Sequence, residues 1–268
     1  MYLRVEHTTE FTYGSPIAEA YTELRLRPLE GSGQHCSSFR LVTEPFGLRV
    51  REYHDHFGNE VQHFDVLESH DRLVVTAVST VMTPDQLVGI SAPLSPLELH
   101  DYLTPTGYAP FAGAVWEFAA RHAQNESGLA KAHEVMAAVR GELVYDPNAT
   151  DVQTRADEVL ALGRGVCQDC AHVMLATCRC GGIPARYVSG YLYDPTLRGD
   201  NAASHAWVDV WDETVGWSAL DPTHGRDQTD AYVRVAVGRD YADVPPTRGV
   251  FKGSASETLS VRVGLQAL

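Results

Sequence analysis

The chain runs in two rhythms. Over its first eighty or so residues, apolar and polar side chains take turns with a period of two, as in Tyr21-Thr-Glu-Leu-Arg-Leu-Arg, Leu48-Arg-Val-Arg-Glu-Tyr and Arg72-Leu-Val-Val-Thr-Ala-Val-Ser-Thr-Val. This alternation predicts strands, because successive side chains on a strand point to opposite faces. Gly14-Ser-Pro, Gly31-Ser-Gly and Phe57-Gly-Asn separate the runs as turns. Several short strands with regular turns predict a small all-β sandwich or open barrel over residues 1–83.

Between Thr83 and Pro110 lie Pro84, Pro93, Pro96, Pro105 and Pro110, which marks residues 84–108 as a linker. The rhythm then changes. Phe111-Ala-Gly-Ala-Val-Trp-Glu-Phe-Ala-Ala-Arg-His and Leu129-Ala-Lys-Ala-His-Glu-Val-Met-Ala-Ala-Val-Arg repeat apolar residues at three- and four-residue spacing, which predicts helices. A third helix is expected from near Cys167 to about Arg179, stopped by Gly181-Gly182 and Pro184. Beyond it the alternation returns in Ala185-Arg-Tyr-Val-Ser-Gly-Tyr-Leu-Tyr, His205-Ala-Trp-Val-Asp-Val-Trp, Trp217-Ser-Ala-Leu-Asp, Tyr232-Val-Arg-Val-Ala-Val and Leu259-Ser-Val-Arg-Val-Gly-Leu. Helices followed by antiparallel strands make residues 109–268 an α+β domain.

Composition narrows the function classes. Lys and Arg number 21 against 35 acids, a formal charge of −14, and the arginines are scattered. A phosphate backbone would be repelled by such a field, so no nucleic-acid partner is expected. No apolar run approaches the roughly 20 residues of a spanning helix, so no membrane partner is expected either. Met1-Tyr-Leu-Arg-Val-Glu-His mixes charges into its apolar residues and reads as no signal-peptide core. An odd count of five cysteines, four of them between Cys167 and Cys180, is not a disulfide framework. Together these features read as a cytoplasmic protein; its oligomeric state is left open.

Chemistry concentrates at Gly163-Arg-Gly-Val-Cys-Gln-Asp-Cys-Ala-His. A glycine-rich turn entering a helix sets Cys167 at the helix amino terminus, where free N–H groups and the macrodipole favour thiolate over thiol. The same N–H groups can stabilise the oxyanion formed when sulfur attacks a carbonyl. Such a thiolate needs an imidazole to exchange protons. His205 opens a strand 38 residues later, and Asp221 ends the next strand 16 residues further on. Adjacent antiparallel strands can bring the start of one beside the end of the next, so Asp221 can hold His205 in orientation.

Four blocks then carry a resemblance: Gly-Val-Cys167-Gln-Asp-Cys-Ala-His, Gly182-Ile-Pro-Ala-Arg-Tyr-Val-Ser-Gly-Tyr-Leu, His205-Ala-Trp-Val-Asp-Val-Trp and Gly216-Trp-Ser-Ala-Leu-Asp-Pro-Thr. In order and wording they resemble the bacterial transglutaminase-like superfamily, often described as cysteine proteases. Tyr21-Thr-Glu-Leu-Arg-Leu-Arg-Pro and Asp55-His-Phe-Gly-Asn resemble the amino-terminal β region of the same family. The resemblance implies a transglutaminase-like (papain-like) α+β domain behind an all-β sandwich, with Cys167, His205 and Asp221 as catalytic triad. It also implies an acyl-thioester reaction on a protein or peptide amide, without cofactor or metal. Hydrolysis is the expected outcome, with transfer to an amine as runner-up. Two positions depart from the family pattern: Cys170, where a bulky apolar residue is usual, and His224, where a small polar one is commoner.

Competing readings of single residues remain. Cys167-Gln-Asp-Cys170, with Cys178 and Cys180, invites a zinc- or redox-active thiol module. Against it, the preceding segment Arg155-Ala-Asp-Glu-Val-Leu-Ala-Leu looks helical, and Cys170, Met174 and Cys178 recur every four residues, as core positions do. His172 reads as a structural hydrogen-bonder. Tyr145 is either a second oxyanion donor or a core tyrosine. Trp207, Tyr191 and Tyr193 either wall the cleft or pack as ordinary sheet residues. No triad member lies in residues 1–83, so that region reads as separable from the chemistry.

Overall fold

The computed structural model describes residues 1–87, 93–126, 128–196 and 204–268. Six amino-terminal strands come first: β1 (Tyr2–Ile17), β2 (Glu19–Leu24), β3 (His35–Glu44), β4 (Arg51–His54), β5 (Glu60–Val66) and β6 (His70–Met82). In β1 every second residue from Leu3 to Tyr13 is buried, as its alternation requires. Phe11, Ile17, Leu24, Phe64, Leu73 and Val75 join one core between two sheets, so this region is a sandwich.

Helices follow: α1 (Pro96–Leu103), α2 (Gly113–His122), α3 (Gly128–Glu142), α4 (Ala156–Leu162) and α5 (Cys167–Cys180). The short parallel strands β7 (Val144–Tyr145) and β8 (Arg164–Gly165) pair between them. Strands β9 (Ala185–Leu192), β10 (Ser204–Asp212), β11 (Gly216–Asp221), β12 (Arg226–Asp227) and β13 (Tyr232–Gly238) form a sheet in the order β12-β11-β10-β9-β13. Helix α5 is buried from Asp169 to Arg179 and packs with Ala206, Val208 and Val210 of β10 on one face of that sheet. Trp207, Ala219 and Tyr232 fill a second cluster, with Leu29 and Phe57 of the amino-terminal region against it. Both faces of the sheet are therefore covered.

The last two strands correct the expected boundary at the carboxyl end of the α+β domain. β14 (Thr247–Lys252) pairs with β2, and β15 (Glu257–Ala267) pairs with β1 over Leu3 to Tyr13. Each completes a four-stranded sheet of the sandwich, so the chain ends where it began. The linker is also more structured than its prolines imply. Within it, Ser95 caps α1 through a reciprocal capping box with Glu98, and Tyr102 is buried edge-on against Trp217 at 5.3 Å. Residues 88–92 of the linker lie outside the described residues.

Nor is the sandwich loosely attached. Leu3, Val5, Val81 and Val263 share a buried cluster with Tyr191, Val233 and Val235 of the second sheet. The Asn59 side chain donates to the Val237 carbonyl and accepts from the Val237 N–H, both at 2.7 Å. Gln34 does the same at Arg234, at 2.8 and 2.9 Å. Two amides thus pair with β13, the edge strand of the sheet, and shield it. No helix among the described residues is long and apolar enough to cross a membrane.

Candidate active site

The turn that carries Cys167 is held from both sides. Val144 and Tyr145 lie beside Arg164 and Gly165, and Val166 is extended as the N-cap of α5. The buried Asp169 carboxylate reaches back, accepting from the Val166 N–H at 2.7 Å and the Thr150 hydroxyl at 2.6 Å. A Cβ on Gly165 would lie 2.5 Å from that carboxylate, so the residue there must be glycine. Cys167 is then the first residue of α5, partly exposed, and the first N–H groups of the helix have no intrahelical acceptor.

His205 and Asp221 meet across two neighbouring strands. In the β10–β11 register Val208 pairs with Leu220, so His205 and Asp221 sit diagonally at the same end. His205 Nε2 donates to Asp221 Oδ2 at 2.8 Å. The Cys167 thiol lies close enough to act on the same ring. Behind His205 the backbone partner is Gly190, where a Cβ would stand 2.1 Å from the Val233 carbonyl and 2.7 Å from the Trp207 ring. Only glycine fits here between the β13 backbone and the Trp207 ring.

Asp221 is the hub. Its Oδ2 also accepts from His224 Nδ1 at 2.8 Å and from the Tyr232 hydroxyl at 2.6 Å. Oδ1 accepts from the N–H groups of Thr223 and His224 at 2.8 and 3.2 Å. Burial works against its charge, but the hydrogen bonds from His205 and His224 prevail and hold the carboxyl well below the usual carboxylate range. For His205 burial likewise opposes the charged form. Hydrogen bonds to Asp221 and Cys167, and their charges, outweigh it and raise the pKa to about 9. His205, Asp221 and His224 offer ligand atoms within 4.8 Å of one another, a spacing that would admit a metal ion. Since the carboxylate already collects hydrogens from both rings, the cluster is satisfied as a hydrogen-bond network.

Sequence reasoning did not reach Tyr232, and it gave His224 no role. His224 was visible as a departure from the family pattern. Nothing in the alternation of β13 pointed to Asp221, which lies on a strand three places away in the sheet. His172 is fully buried between Tyr108 and Tyr187, and its Nε2 accepts from the Tyr241 N–H at 3.2 Å. Burial pushes its pKa down to about 3, so it is a neutral core ring. Trp207 is buried beneath His205, their rings stacked at 6.0 Å. Tyr191 points away, its hydroxyl bonded to His7 of the sandwich at 2.8 Å, so it does not wall a cleft. Tyr145 is mostly exposed, and partial burial, then the charges of Cys167 and Cys170, raise its hydroxyl pKa.

A four-cysteine zinc module is not assembled. Cys167 and Cys178 are 11 residues apart on one helix, about 16 Å along its axis. Cys178 is fully buried in the core, where burial raises its thiol to about 12.

Residues 117–222, which contain Cys167, His205 and Asp221, match the transglutaminase-like superfamily, and residues 3–82 match the bacterial transglutaminase-like N-terminal region. An uncharacterized Mycobacterium leprae protein is 35% identical over 281 residues, covering 99% of this chain and 99% of its own length. A Pseudomonas aeruginosa protein-glutamine gamma-glutamyltransferase is 33% identical over 84 residues, 29% of this chain and 13% of that protein. A solved Cytophaga hutchinsonii structure, named a "Putative Cysteine Protease", has the same fold with a TM-score of 0.77 at 21% identity, covering 100% of this chain and 94% of that one. Sandwich, α+β domain and end-to-end relative agree: the chain belongs to the transglutaminase-like superfamily and carries its bacterial amino-terminal region.

Proposed function

We propose that the chain hydrolyses amide bonds of protein or peptide substrates through an acyl-thioester on Cys167, with His205 and Asp221 completing a catalytic triad. One observation carries the reading: the thiol that heads α5 acts on His205, whose Nε2 lies 2.8 Å from a buried carboxylate. The Cys167 sulfur attacks the substrate carbonyl, and the first N–H groups of α5 face the oxyanion. His205, as imidazolium, gives its proton to the leaving amine, the C–N bond breaks, and the acyl group stays on sulfur. Water then enters, loses its proton to His205, and releases the acid and the thiol. Asp221 keeps the ring oriented through both steps.

A second reading, transfer of the acyl group to an amine, takes support from the gamma-glutamyltransferase relative. Both share the first half-reaction and differ in what resolves the thioester. Incubating the protein with blocked glutamine peptides, with and without a primary amine, separates them by mass spectrometry. Hydrolysis predicts the free acid in both samples. An amide product that replaces the acid when amine is added favours transfer, and an unchanged substrate in both sinks the proposal.

A further inference from the structure

Cys170 is the residue at which this chain departs from its family pattern nearest to the thiol, and it shares the first turn of α5 with Cys167. Three residues of helix place their Cα atoms about 5 Å apart, inside the roughly 4.4–6.8 Å that a disulfide accepts. Helical side chains lean toward the amino terminus, which carries the Cys170 sulfur toward Cys167. The two sulfurs sense each other: after burial, the Cys167 charge is the next cause that pushes the Cys170 thiol up to about 12. Access differs sharply. Cys167 is partly exposed at the head of the helix, whereas Cys170 is 6% exposed beneath it. The first turn can tighten, since Cys167 N–H is not tied by an intrahelical bond. The other thiols are out of reach: Cys178 and Cys180 lie about 16 Å or more along α5, and Cys36 lies in β3.

We infer that Cys167 and Cys170 form a reversible disulfide when a hydroperoxide oxidises Cys167, a modification site that switches the enzyme off and shelters its sulfur. The inference rests on the reading of Cys167 as the reactive thiol. In the first step the Cys167 sulfur attacks the peroxide, the O–O bond breaks, and the sulfur takes one oxygen. Cys167 becomes a sulfenic acid, oxidised by two electrons, and hydrogen peroxide is reduced to water. In the second the Cys170 sulfur attacks the Cys167 sulfur, the S–O bond breaks, and the hydroxyl leaves as water with the Cys170 proton. Two equivalents of an added thiol return both cysteines to the reduced form. Burial keeps Cys170 from outside oxidants, so its one accessible partner is the sulfenic acid beside it.

The test treats the full chain with one equivalent of hydrogen peroxide, then labels free thiols under denaturing conditions and maps them by mass spectrometry. The expected protein has lost two hydrogens and leaves Cys167 and Cys170 unlabelled, while Cys36, Cys178 and Cys180 label. Dithiothreitol should restore both labels and the amidase activity. Given excess peroxide, Cys170→Ala and, in case that variant folds poorly, Cys170→Val should start with ordinary activity but lose it irreversibly, as a second peroxide takes the Cys167 sulfenic acid to sulfinic acid. A wild-type protein in which Cys170 labels fully while Cys167 stays a sulfenic acid, or goes on to sulfinic acid in excess peroxide, would overturn the inference. A disulfide that forms while activity persists would leave the pairing standing and remove Cys167 from the proposed mechanism, so the two failures are told apart.

Discussion

The Nε2 of His205 stands 2.8 Å from Oδ2 of Asp221, and that one oxygen also receives hydrogens from His224 and Tyr232. A buried carboxylate with this many donors stays ionised, and an imidazole beside it stays oriented. Cys167 acts on His205, the buried histidine of the two, which therefore takes the proton transfers, while half-exposed His224 gives a supporting contact.

Replacing the hub should therefore hurt far more than replacing its outer donor. Asp221→Asn is expected to lower kcat by roughly two to four orders of magnitude, as loss of an orienting carboxylate does elsewhere. His224→Ala removes one half-exposed hydrogen bond and should cost about 1 kcal/mol or less in the barrier, roughly fivefold in kcat. Steady-state kinetics of both folded variants decide it. Equal losses would make His224 part of the machinery.

The pH dependence of stability follows from the same pair. His205 rises from its ordinary 6.5 to about 9 on folding, because hydrogen bonds and charge outweigh burial. The folded state then holds this proton more tightly than the unfolded chain. Its contribution is complete below pH 6.5 and is lost as pH climbs through about 9. Thermal unfolding should show Tm falling across that window, more steeply for the wild type than for Asp221→Asn. Parallel curves would mean that the pair does not govern this titration.

The sandwich is expected to be indispensable to the fold, in contrast to its separable appearance in the sequence. Asn59→Ala strips the Val237 N–H and carbonyl of their buried partners and should cost about 1–3 kcal/mol in urea unfolding. Deleting residues 1–83 leaves β14 and β15 without neighbours and bares Tyr191, Val233 and Val235, so fragment 84–268 should be insoluble. A soluble, cooperatively folding fragment would contradict this.

Local pattern was enough for what local pattern encodes. Alternation in β2 and β6, helical spacing in α2 and α3, and the glycine turn before Cys167 were all legible, because each depends on residues within one element. Partners distant in sequence were not. Leu259-Ser-Val-Arg-Val-Gly-Leu reads as a strand, but nothing in it says that it pairs with β1 near residue 10 rather than with β13. Tyr232 reads as an inward-facing strand residue, yet its hydroxyl ends on Asp221 only because of how β13 and β11 sit in the folded sheet. Family wording supplied the pairing of His205 with Asp221; spacing alone left it open.

In the proposed reaction an acyl group rests on Cys167 during turnover. The measurement is rapid acid quench of the protein with a slowly deacylating amide substrate, followed by peptide mass spectrometry of the segment around Cys167. The expected result is a thioester-linked acyl mass on Cys167 that forms before product, and neither adduct nor product with folded Cys167→Ala. Turnover by folded Cys167→Ala, or an acyl group found on another residue, would contradict it.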